Sequence, residues 1–147
     1  MDHPLIIPAH LNALLRCEIA ATIAYRTIIT GFPHEPLPEL RLCRSSHQNR
    51  ANLLRRRIQR LGGTPAMGPG RWCVFSDFCS EDACADGLED ILNRLSDSER
   101  WMVDDYWEQI VLIDPVSRDL LVEYHIPEQE RTHELMCQLK GALGLVP

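Results

Sequence analysis

Leu11, Leu14, Glu18, Ala21, Tyr25 and Ile28 are spaced 3, 4, 3, 4 and 3 residues apart, which places all six on one face of a helix. The same spacing returns 81 residues later in Leu92, Leu95, Glu99, Met102, Tyr106 and Gln109. In both stripes a carboxylate stands mid-face, and a tyrosine comes two helical turns after it. A carboxylate inside an apolar stripe is costly to bury unless a cation or a hydrogen-bond network meets it. Two of them on matching helices suggest one shared partner, and the simplest such partner is a metal ion.

The rest of the chain supplies two more helices. The patterning predicts helices over about residues 10–30, 38–61, 86–112 and 115–143. Residues 1–9, with Pro4 and Pro8, read as an extended lead-in. Gly31 and the prolines at 33, 36 and 38 end the first helix, and Gly62-Gly63 ends the second. The second helix has its own inward stripe: Leu40, Cys43, His47, Ala51, Leu54, Ile58 and Leu61. Ser80-Glu-Asp is a candidate cap for the third helix, although Gly87 could divide it. Pro115 suits the first position of the fourth. Pro127 lies inside that helix and should kink it or force a local bulge.

The crossover at 62–85 is the longest connection and is too apolar to hang free in water. Trp72, Phe75 and Phe78 are expected to pack across the bundle, with room for a short helical turn. Short loop, long crossover, short loop is the connectivity of a ferritin-like bundle: two antiparallel helix pairs in one domain, all-α throughout.

Glu130-Arg-Thr-His133 provides the chemical motif. Residues three apart on a helix point the same way, so this carboxylate and imidazole can share an ion. Carboxylate-bridged dinuclear bundles take one Glu from each of two helices and a Glu-x-x-His from each of the other two. Here Glu18 and Glu99 are the single carboxylates, Glu130 and His133 one full pair, and His47 half of the other. The position three before His47 is Arg44, a cation where the sixth ligand would stand. Three outcomes are open: a mononuclear site, a metal-free salt-bridge network, or a second metal held by a substitute such as Glu128. Hard oxygen ligands with imidazole suit iron or manganese. Tyr25 and Tyr106 would hold the carboxylates in place, or simply pack.

The chain resembles the ferritin-like superfamily, and more closely a group of small bacterial ferritin-like proteins of uncharacterised function. The likeness runs from about residue 10 to 143, through Leu11-Asn-Ala-Leu-Leu, Arg60-Leu-Gly-Gly-Thr-Pro, Gly70-Arg-Trp, and Ser98-Glu99 followed by Tyr106-Trp-Glu. For the superfamily, the resemblance implies iron or manganese binding, oxygen or peroxide chemistry, or iron storage. In the closer group ligand sets are often incomplete, and Arg44 departs from a working dinuclear centre.

A second reading belongs to a different class: a metal-free structural or stress-associated interaction bundle. In it Arg44, with Arg50, neutralises Glu18 and Glu99, and His47 and His133 are ordinary core histidines. Seven arginines between Arg41 and Arg60 form either a basic ridge or a solvated face. The net charge of −6 speaks against a nucleic-acid partner. The Met1-Asp-His-Pro start lacks a basic leader, so a cytoplasmic location and no membrane partner are expected, with a homodimer as the assembly. Six cysteines then read as thiols. Cys43 and Cys137 are expected to be buried small hydrophobes. A third reading, thiol-based sensing through Cys73, Cys79 and Cys84, requires two of those sulfurs within disulfide reach.

Overall fold

Every regular element in the described residues is helical. The computed structural model describes residues 6–35, 37–71, 73–80 and 82–145. The lead-in at 1–5, the packing of Trp72 and the Glu81 part of the expected cap lie outside them. α1 spans Ile6–Gly31, α2 Pro38–Arg60 and α3 Leu88–Gln109. The last rod is composite: α4, Pro115–Leu120, then a π-helical turn, Leu121–His125, then α5, Ile126–Ala142.

α1 begins four residues earlier than the stripe predicts. Residues 6–9 are helical and Pro8 is buried, which the first turn tolerates because its N–H groups lack intrahelical partners anyway. α1 is also the one helix among the described residues long and apolar enough to cross a membrane. Its inner face, from Leu11 through Tyr25 to Ile28, is part of the bundle core.

α2 stops where the glycines require. Gly63 N–H donates to the Ile58 carbonyl at 2.9 Å and Gly62 N–H to that of Gln59 at 3.0 Å, with Gly62 at φ +81°. This paired closure needs a left-handed residue, which glycine adopts without a Cβ clash. Gly87 does not divide α3 but precedes it, with extended backbone. Asp114 caps α4, accepting from the Ser117 N–H at 3.2 Å, and takes an ion pair from Arg57 at 2.8 Å.

The crossover climbs α1 in register. Asn12 bonds Thr64 and Ala66 near its start, Cys79 donates to the Ala20 carbonyl, and Cys84 donates to that of Thr27 near its end. It includes one 3-10 turn, Ser76–Phe78, and it buries Phe75, Phe78 and Ala83. The chain therefore re-enters the bundle at the far end, and α3 runs parallel to α2. Side-chain pairs give the remaining directions. Tyr25 meets Glu99 while Tyr106 meets Glu18, so α1 and α3 are antiparallel. Arg57 meets Asp114 while Cys43 meets Thr132, so α2 and the last rod are antiparallel too.

The π turn is the bulge that Pro127 demands. Proline lacks an N–H, and its ring crowds the carbonyl of Glu123 four residues back. Widening the preceding turn removes that conflict and rotates α5 about its own axis. The inward stripe becomes Leu121, His125, Gln129, Thr132, Met136 and Leu139.

Candidate functional site

Four helical rods bring one polar cluster to the centre of the core. Glu18 from α1, His47 and Arg50 from α2, Glu99 from α3, and Gln129 and Thr132 from α5 are all completely buried. His47 lies between the acids, its Nδ1 2.7 Å from Glu18 Oε2 and its Nε2 2.6 Å from Glu99 Oε1. The tyrosines cross over: Tyr25 donates to Glu99 Oε1 and Tyr106 to Glu18 Oε1, each at 2.6 Å. On its other oxygen Glu99 accepts from Gln129 Nε2 at 2.5 Å and Thr132 Oγ1 at 2.7 Å. Arg50 reaches Glu18 Oε1 at 3.3 Å and also donates to Thr132 Oγ1 at 3.2 Å and to Gln129 Oε1. Glu99 thus accepts four hydrogen bonds, about the full capacity of a carboxylate.

The protonation states are set by this geometry. Burial alone would push both carboxyls up, but Arg50, His47 and the donated hydrogen bonds more than reverse it for Glu18. For Glu99 the same contest, with His47 as the strongest opposing charge, leaves the carboxyl at about 2. Both acids are therefore ionised and can only accept. Each ring nitrogen of His47 faces one of them, so both must donate and His47 is an imidazolium. Burial and Arg50 oppose that charge, but Glu99 and Glu18 outweigh them and raise its pKa. The ring stacks on Tyr25 at a centroid distance of 5.5 Å and meets the edge of Phe75 at 5.4 Å. Aromatic faces suit a desolvated cation. Two anions and two cations leave the cluster electrically neutral. Beside it, His125 places Nε2 3.1 Å from the Arg50 carbonyl, and burial holds its pKa down.

Of the residues singled out from sequence, the structure brings together Glu18, His47 and Glu99, with Tyr25 and Tyr106. It does not bring Glu130 or His133 to them. Glu130 is exposed, and half-buried His133 faces Cys137 Sγ at 3.5 Å. Within α5 the residues that share the inner face with Met136 and Leu139, at spacings of 3, 4 and 3, are Gln129 and Thr132, and Glu130 and His133 lie one residue off that face. Arg44 makes no ion pair with either acid; it is half-buried with Nε unpartnered, and Arg50 takes the part expected of it. Glu128, the possible substitute ligand, accepts from Ser46 and Arg131 at the rim.

The inward place of Arg50 has a sequence signal. It lies three residues after His47 and four before Leu54, so it fits an inner stripe as well as Ala51 does. Gln129 and Thr132 had one too, since with Met136 and Leu139 they repeat the 3, 4, 3 spacing of the other stripes.

The thiols are all free. Cys43 is buried as expected, but Cys137 is exposed. Cys79 and Cys84 turn to carbonyls of α1.

The residues suit a metal poorly. Among the described residues no group of three or more His, Cys, Asp or Glu side chains is arranged to hold an ion. Both His47 nitrogens already abut a carboxylate oxygen, and Arg50 puts a fixed positive charge against Glu18. The chain matches no family model, no curated protein and no solved structure.

Proposed function

We propose that this chain is a metal-free structural or interaction bundle of ferritin-like connectivity, in which Arg50 and protonated His47 neutralise the inner acids. The observation that carries this reading is Arg50. Its guanidinium is fully buried, ion-paired to Glu18 and bonded to Gln129 and Thr132, which sets a fixed positive charge against the acids that would have to ligate an ion. A pair of divalent ions would add charge to a cluster that is already neutral, and only one imidazole is present to ligate them. The short-long-short connectivity and the climbing crossover support the ferritin-like part. Under this reading, contacts with other molecules are made at the surface, where Trp107, Val111, Leu112 and Val116 are exposed around the α3–α4 turn.

Elemental analysis tests it. Protein produced with supplemented iron and manganese, and again after anaerobic reconstitution, should hold no stoichiometric metal, in the wild type as in Glu99→Ala and His133→Ala. Stoichiometric iron or manganese that is lost in Glu99→Ala would overturn the reading in favour of a mononuclear centre on Glu18, His47 and Glu99. Loss in His133→Ala as well would restore the fuller dinuclear set.

A further inference from the structure

The arginines in the second half of α2 divide into two sets. Arg50 and Arg57 have ion-pair partners, Glu18 and Asp114. Arg56 and Arg60 are exposed and have none among the described residues. They stand one helical turn apart on one face, where like charges repel. That face is concave. A pocket of about 190 Å³ is walled by Arg56, Arg57 and Arg60, with Leu53 and Leu120 as its apolar part. A second pocket, of about 270 Å³, continues it: Leu53 and Arg56 belong to both, and Asn49, Asn52 and Tyr124 complete it. The two form one groove along the seam between α2 and the last rod, beside the π turn. Such turns recur at functional sites.

From this groove we infer a binding site for a mononucleotide, with the phosphate on Arg56 and Arg60 and the sugar and base over Leu53 towards Asn49, Asn52 and Tyr124. The polar groups are sorted along the groove. Arginines at one end suit phosphate oxygens, which a guanidinium meets with paired N–H groups. Arg57 is braced from the far side: its Nε donates to Ser117 Oγ and its Nη2 to Asp114 Oδ2, each at 2.8 Å, and Asp114 offsets its charge. The net positive charge of this end therefore comes from Arg56 and Arg60. The other end carries no charge. Asn52 Oδ1 accepts from Arg55 Nη1 at 3.0 Å, so its NH2 group stays available as a donor. Half-buried Tyr124 packs at 83° to the His125 ring, with centroids 5.4 Å apart, and offers a phenol ring to the groove.

Length and chemistry select the ligand. From Asn49 to Arg56 is two helical turns, about 10 Å along the axis. Free phosphate fills only the arginine end, and a nucleoside only the amide end. A mononucleotide carries an anion at one end and a flat ring with donors and acceptors on its edge at the other. An apolar stretch with a few placed polar groups is the usual make-up of a small-molecule site. The groove lies apart from the core cluster, so its occupancy does not depend on whether that cluster holds a metal.

The test is isothermal titration of the full-length chain with AMP, GMP, CMP and UMP, each beside its nucleoside and inorganic phosphate. At least one mononucleotide should bind one to one, and its nucleoside and phosphate should each bind roughly 10-fold more weakly or worse. Arg56→Gln/Arg60→Gln should lower the nucleotide affinity roughly 10-fold or more. Both side chains are exposed, so circular dichroism should show the fold retained. Arg26→Gln/Arg41→Gln, which removes the same charge from exposed positions off the groove, should leave the affinity unchanged. Asn49→Ala/Asn52→Ala should weaken the nucleotide and leave phosphate binding as it was. No binding of any of the four nucleotides, phosphate alone binding as well as the nucleotide, or equal losses in the two arginine variants would overturn the proposal.

Discussion

At the residue scale the central acids and His47 pull in opposite directions with pH. The Glu99 carboxyl sits at about 2 in the folded chain against an ordinary 4.5. Its share of stability is therefore complete above 4.5 and is lost as pH falls towards 2. That share is on the order of 3 kcal/mol. His47, raised above its ordinary 6.5, contributes fully below that value and loses its contribution as pH rises through the raised one. Urea unfolding measured from pH 7 to pH 2 should show an acid limb that flattens in Glu99→Gln. Nitrogen-15 spectra should show both His47 ring nitrogens protonated at pH 7; a neutral ring there would refute the assignment. Substitution tests charge closure separately. Arg50→Met leaves one buried negative charge unmatched and should cost about 3–5 kcal/mol. Glu18→Gln with Arg50→Met removes one charge of each sign, and in denaturant melts it should be markedly less destabilised than the sum of the single changes. Additive losses would mean that the four charges do not act as a set.

Among the elements, the turns carry their own predictions. A Cβ on Gly63 would lie 2.7 Å from the Pro8 ring and 3.0 Å from Ile58 Cγ2. Neither neighbour can swing aside, so Gly63→Ala should cost on the order of 1–3 kcal/mol in thermal or urea melts. A surface glycine with nothing nearby, such as Gly68, should accept alanine at little cost. The elements also show what was readable and what was not. The repeated stripes placed Glu18 and Glu99 on facing helices because a straight helix preserves its 3.6-residue period over its whole length. The same period holds along α5. There Gln129, Thr132, Met136 and Leu139 form the inward 3, 4, 3 stripe, and the Glu130-x-x-His133 pair lies one residue off it. Pro127 announced a distortion, but its size in residues depends on how neighbouring helices pack, which no local pattern records. Arg50 was equally hard to separate from Arg44. Both fit a helical face near His47, and only the tertiary partners Glu18, Gln129 and Thr132 distinguish them.

At the scale of the whole molecule the crossover acts as a fifth packing layer along α1. Phe75 is completely buried and touches both His47 and Tyr25. Phe75→Ala should therefore cost about 3–5 kcal/mol, and hydrogen exchange should quicken along α1 near Glu18 as well as in the crossover. Exchange confined to the crossover would show that it is not part of the core. The crossover also divides the chain into two helical hairpins, and the central cluster is split unequally between them. The first hairpin brings Glu18, His47 and Arg50, one net positive charge; the second brings Glu99, one net negative. Either hairpin alone presents an uncancelled charge on an otherwise greasy face. Two copies of the same hairpin would press like charges together in a dry seam. Only the unlike pair cancels, so the polar centre works as a key that admits each half's proper mate and turns away its twin.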